Sequence, residues 1–339
     1  MSEKDQIRVK DRNDLIAAVP YLLGFPPEDS LVCVVVDDDR IRFLARLDLS
    51  VAAEGPELPE ATSHLAELLA RYGQQAIILG YGTPDRVGPV AELLRAALLA
   101  ANVELFDAIR VTDDRYYCLN CDGECPPEGI AYNPSTSTLP AEATYEGIAP
   151  MPSRTALEDL IAPITGPRRE AMRTASLAAF QRLHTMLFNS AATRADVTDG
   201  ESSGSPAHVL QNGVEAVQQA IGVAARGELL SDDAAAWLTA VLTIPEVRDH
   251  AWRAIDGSEP HRRLWIDVTR RAILEATAAP ACLLAIAAYL GGDGALANIA
   301  VYRSLQADPG YSLARLLHGS LIAGVAPQVW RDATIGTTD

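Results

Sequence analysis

The sequence predicts a mixed-sheet α/β domain over residues 1–150 followed by an all-helical domain over 151–339. Three observations carry that reading. Strand-type and helix-type runs alternate up to about residue 150, strand signals stop near Met151, and helical runs punctuated by Gly and Pro fill the remainder. A chain of 339 residues also suits roughly two domains of ~150 residues each.

In order along the chain, "QIRV" reads as a short strand, and "DRNDLIAAVPYLLGF" as a helix capped near Asp11 and closed at Gly24. "SLVCVVVD" and "RIRFLARLDL" are strand-type runs on either side of the charged tip "DDDR", which makes them a hairpin. "GPELPEATSHLAELLARYG" is an amphipathic helix with Gly73 at its end, and "QAIILGYG" a strand buried on both faces. A second helix, "DRVGPVAELLRAALLAAN", precedes "VELFDAIRVTDDRYYCL", which holds one or two more strands. Strand–helix–strand spacing implies parallel pairing through right-handed crossovers, and the early hairpin makes the sheet mixed.

Beyond Pro152 the periodicity gives helices over 153–162, 167–189, 206–225, 232–243, 246–255, 259–275, 280–290, 295–306 and 311–323. The segment "DGESSGSP", near 199–206, reads as a flexible loop within this half. Leu284, Ala297, the Asp308-Pro309 step, Tyr311 and Ala314 fall where a tetratricopeptide helix pair places small or apolar contacts. No second copy is in register, so one repeat-like helical hairpin within a bundle is expected.

The net charge is −17, and residues 1–150 carry 12 Lys+Arg against 25 Asp+Glu, a net −13. Such a field repels phosphate backbones and anionic lipid, which disfavours nucleic acid and membrane surfaces as partners. The opening residues lack the apolar core of a signal peptide. The longest uncharged run, from Ala276 to Gly292, is too short and too weakly apolar for a ~20-residue span. A cytoplasmic protein with reduced thiols is therefore expected.

Chemistry concentrates in few places. Cys118, Cys121 and Cys125 have C-x2-C-x3-C spacing, so three thiolates can converge from one turn, with Gly123 allowing a tight backbone. A structural zinc site usually takes four ligands. With three in view, no cofactor is expected, zinc remains admissible if another group completes the set, and an iron–sulfur cluster with an open iron site is a further alternative. In "GFPPEDS", Glu28, Asp29 and Ser30 could form a polar site at one end of the sheet, or simply satisfy loop amides. "YGTPDRVGP" follows a strand and opens a helix, where α/β proteins place ligands; Asp85 there is a candidate ligand contact or a helix cap. Arg248-Asp249-His250 and Trp265 with Asp267, Arg270 and Arg271 could shape a pocket, or fasten helices together.

Several stretches, "LIAAVPYLLGFPPEDSLVCVVV", "CPPEG", "VRDHAW", "LWIDVTRRA" and "LAIAAYLGGDGALANIAVYRSLQADPGYSLARLL", resemble the actinobacterial family named domain of unknown function 4192 over nearly the entire chain. The resemblance implies an actinobacterial cytosolic protein and brings no activity with it. Members often carry adjacent cysteines before the prolines, where this chain has Glu124-Cys125. With no complete catalytic motif, the reading is a non-catalytic cytoplasmic interaction or regulatory protein whose helical half meets a protein partner. The alternatives are an enzyme or small-ligand binder at the strand ends, and a metal or redox sensor centred on the cysteine hairpin.

Overall fold

The computed structural model describes residues 10–37, 40–49, 58–121, 125–145, 147, 149–192 and 206–335. The chain forms two compact units, Met1–Arg154 and Thr155–Asp339. The expected strand "QIRV", the tip residues Asp38 and Asp39, Gly123 and the expected loop up to Ser205 lie outside the described residues.

In the first unit, helix α1 (Arg12–Leu23) starts at Asp11, whose carboxylate accepts from the Asp14 amide, and stops at Gly24 in the left-handed region. Strands β1 (Ser30–Asp37) and β2 (Arg40–Asp48) form the expected hairpin. Then come α2 (Leu58–Ala70), β3 (Gln75–Tyr81), α3 (Pro84–Ala100), β4 (Glu104–Val111), β5 (Arg115–Cys118), β6 (Ile130–Ala131) and α4 (Leu139–Tyr145). The sheet order is β2-β1-β3-β4-β5-β6. Among the described residues only the β3–α3–β4 crossover joins neighbouring parallel strands. Strand β1 is antiparallel to both β2 and β3, so β2 and β3 point the same way with β1 inserted between them. That insertion makes the sheet mixed.

The unbroken apolar run of β1 follows from burial on both faces. Leu31, Cys33 and Val35 face a core built with Leu65, Leu69, Val87 and Leu94 of α2 and α3. Val32 and Val34 face the opposite core, with Leu15, Ile16 and Val19 of α1 and with Ile77, Leu79 and Ile109. Helix α1 is pinned to this face by Arg12, which donates to both carboxylate oxygens of the buried Asp107 at 2.6 and 2.9 Å. Strand β6 and helix α4 are short elements that no periodicity announces.

The second unit is helical: α5 (Arg154–Leu160, its first residue closing the first unit), α6 (Pro167–Ala192), α7 (Pro206–Ala225), α8 (Asp232–Val241), α9 (Pro245–Arg253), α10 (Glu259–Arg271), α11 (Ala278–Leu290), α12 (Gly294–Ala307), α13 (Ser312–Ile322) and α14 (Pro327–Ile335). The last of these lies beyond the helices expected from periodicity. Every residue of α11 is buried, which accounts for the uncharged run noted in the sequence. It pairs with α12 as a hairpin: Asp293 caps α12 by accepting from the Leu296 amide, and Ser304 Oγ donates to the Ala278 carbonyl at 2.7 Å. Among the described residues no helix is long and apolar enough to cross a membrane.

Candidate metal centre

Strand β5 is held between β4 and the short β6, and the connection from Cys118 to Ile130 forms the tip of this ribbon. Its closing half is rigid for specific reasons. The Gly129 amide donates to the Pro126 carbonyl at 2.9 Å, and Gly129 itself has φ +78°. A Cβ there would lie 2.8 Å from the Tyr117 ring and 3.0 Å from the Tyr116 carbonyl, so only glycine fits. Arg115 Nη1 donates to the carbonyls of Glu128 and Gly129 at 3.1 and 2.9 Å. Arg110, 4.1 Å from the Tyr117 ring centroid, stacks over that ring. The "CPPEG" segment is thus a turn clamped onto β5.

On this scaffold the Sγ atoms of Cys118, Cys121 and Cys125 all lie within 4.8 Å of one another, and each cysteine is half-buried. All three are free thiols. Around a tetrahedral ion with metal–sulfur bonds of about 2.3 Å, sulfurs stand about 3.8 Å apart, so a small contraction of this triangle would accommodate an ion. Hydrogen bonding with Cys121, aided by desolvation and by Cys118, pushes the Cys125 thiol up to about 11. With all three Sγ atoms within 4.8 Å, the sulfurs meet in space and not only in sequence. Cys118 Sγ donates to Asn120 Oδ1 at 3.5 Å, and the same oxygen accepts from the Ala108 amide at 3.3 Å. Asn120 ties the thiol cluster to the sheet; "CLNC" offers only a weak cue to this, an amide side chain inside a turn. The cluster could hold a metal ion.

The residues expected at the strand ends separate into different environments. Glu28 is exposed, and its carbonyl accepts from Arg46 Nη2 at 3.1 Å. Asp29 has φ +39° and pairs with Arg86 at 2.8 Å, rather than satisfying loop amides with its carboxylate. Ser30 is fully buried, and its hydroxyl has no hydrogen-bond partner among the described residues. Asp85 is exposed in the first turn of α3; the N-cap is Thr83, because the helix begins at Pro84 rather than at Asp85.

In the helical unit, Arg248 pairs with Asp249 at 2.6 Å. Buried Arg271 donates to the Leu230 carbonyl at 2.9 Å and to Asp232 at 3.2 Å, and also pairs with Asp267. Trp265 is fully buried. Arg271 thus ties α10 to the start of α8, whereas the Arg248–Asp249 pair lies within α9. A cleft of about 590 Å³ opens beside the ribbon, lined by Arg12, Asn13, Tyr116, Tyr132, Asn133 and Thr136. Some of its polar groups bond to one another: Asn13 Oδ1 accepts from the Asn133 amide at 3.1 Å, and Asn13 Nδ2 donates to Thr136 at 3.0 Å.

Residues 13–328 match the family model described as a domain of unknown function (DUF4192). No curated protein and no solved structure matches the chain.

Proposed function

The chain belongs to the family described as a domain of unknown function, DUF4192, and we propose that it is a non-catalytic regulatory protein whose cysteine turn takes up a thiophilic metal ion, zinc in the first place. The observation that carries this reading is the convergence of three thiols within 4.8 Å on a turn clamped to the sheet. Soft thiolate ligands favour zinc and copper(I) over oxygen-seeking cations. Three protein ligands leave a fourth position for water or an exchanging ligand, so such a site is not a closed structural one. Ion binding would cross-link the end of β5 to the turn that leads into β6 and stiffen the ribbon next to Tyr116 and Tyr132, which wall the neighbouring cleft. The acidic charge of −17 supports a protein rather than a nucleic-acid partner in the cytoplasm, with the helical unit as the surface it meets.

The test is metal content and cobalt spectroscopy on the full chain purified under reducing conditions. One zinc per chain, and a sulfur-to-cobalt charge-transfer band on substitution, are expected. Both should be lost in Cys121→Ser while the far-ultraviolet circular dichroism is kept. A chain that takes up no zinc or cobalt from micromolar solution would overturn the proposal.

A further inference from the structure

Sulfurs that can gather round an ion can also join one another. The Sγ atoms of Cys118, Cys121 and Cys125 all lie within 4.8 Å of one another, and all three are free thiols. A disulfide needs its sulfurs about 2.05 Å apart and its Cβ atoms about 3.5–4.5 Å apart. Rotation of the side chains and a local shift of the turn bring any two corners of this triangle to that spacing. The three residues belong to one connection between neighbouring strands, so closing a pair leaves the sheet in place.

Position directs oxidation to this turn. Each of its cysteines is half-buried at the tip of the ribbon, within reach of a small oxidant. The other two, Cys33 and Cys282, have no exposed surface. Burial raises the pKa of both, Cys33 to about 12, which keeps them as unreactive thiols. The odd number of thiols in the turn also matters. One disulfide uses two of them and leaves the third beside it, able to attack that bond and pass it to another pair. A single remaining thiol cannot hold zinc, which takes three or four protein ligands.

We infer that the turn is a peroxide-sensitive thiol switch: a peroxide joins two of the three sulfurs and, with zinc held as proposed above, expels the ion. One thiolate attacks a peroxide oxygen, the O–O bond breaks, and a sulfenic acid forms. A neighbouring thiolate attacks that sulfur; the S–S bond forms as the sulfenic oxygen leaves as water. The two sulfurs lose two electrons and the peroxide gains them. With hydrogen peroxide, two thiols give one disulfide and two waters.

The experiment counts reactive thiols on the full folded chain before and after stoichiometric hydrogen peroxide. Mass spectrometry, non-reducing electrophoresis and zinc release are followed in parallel. Wild type should fall from three rapidly reacting thiols to one, with the mass of a single chain less two hydrogen atoms. A zinc-loaded sample should release one ion per disulfide, and dithiothreitol should restore both thiols. Cys121→Ser separates this switch from metal binding itself: it should take up no zinc, yet Cys118 and Cys125 should still close. Four results would overturn the switch: three thiols surviving the oxidant, their loss to sulfinic acid or to a link between chains, a Cys121→Ser chain that keeps both thiols, or a disulfide that forms while zinc stays bound. A wild type that closes the disulfide but never takes up zinc would sink the metal site alone and leave the disulfide standing.

Discussion

Replacing Gly257 by alanine tests the tightest backbone contact in the helical unit. Gly257 connects α9 to α10 at φ +80°, and a Cβ there would lie 2.6 Å from the Leu290 carbonyl carbon and 2.7 Å from the Gly291 nitrogen. Both are main-chain atoms at the end of α11, a helix whose every residue is buried, so neither can step aside cheaply. An L-residue in the left-handed region costs about 1–2 kcal/mol. Forcing atoms into a filled space adds about 1–3 kcal/mol, for a total of about 2–5 kcal/mol. Gly227 is the matched control: its φ is +76°, but no atom lies within 4 Å of its Cβ position, so Gly227→Ala should cost only the conformational part. The four tryptophans, Trp237, Trp252, Trp265 and Trp330, all belong to this unit, so intrinsic fluorescence in urea follows its unfolding alone. With a denaturant slope of about 2–3 kcal/mol per molar, Gly257→Ala should move the midpoint down by about 1–2 M, well beyond the control. Equal losses in the two variants would refute the contact.

Two further outcomes are expected. Ala297 in α12 is fully buried, so Ala297→Leu should lower the melting temperature through overpacking worth about 1–3 kcal/mol, without any partner present; an unchanged melt would mean that this hairpin lines an open groove. Burial raises the pKa of Asp293, although its bond from the Leu296 amide and nearby Arg262 act the other way. A folded pKa above the unfolded one means that the ionised form weakens the fold above that pKa and the penalty fades as pH falls through it. Asp293→Asn keeps the cap and should match or exceed wild type in urea at neutral pH, with the difference narrowing in acid, whereas Asp293→Ala should lose about 1 kcal/mol. An asparagine variant as unstable as the alanine one would show that the charge is needed.

Much of the fold was legible because burial and periodicity are local. The cap at Asp11, the stop at Gly24, the two-faced burial of "LVCVVV" and the uncharged core helix each leave a mark within a dozen residues. Elements that owe their conformation to distant partners left none. Strand β6 is two residues long and exists because Tyr116 and Arg115 are there to pair with it. Insertion of β1 between β2 and β3 is equally silent, since the same hydrophobic pattern suits either arrangement.

For the sites, spacing and register carry different information. Three cysteines within eight positions can meet only through their own turn, so the thiol cluster is readable from the chain. The strand-end neighbours are not, because Ser30 meets Asp48 and Tyr81 only through register across three strands. "PPEDS" offers three polar residues alike, and the structure separates them: Glu28 stays in solvent, Asp29 turns to Arg86, and Ser30 is the residue carried into the sheet. Arg46 gave no signal at all, being one arginine in an alternating strand. An arginine on the buried face of such a strand either finds an anion or costs stability, and Arg46 finds Asp48, two residues on in the same strand and on the same face, at 3.3 Å.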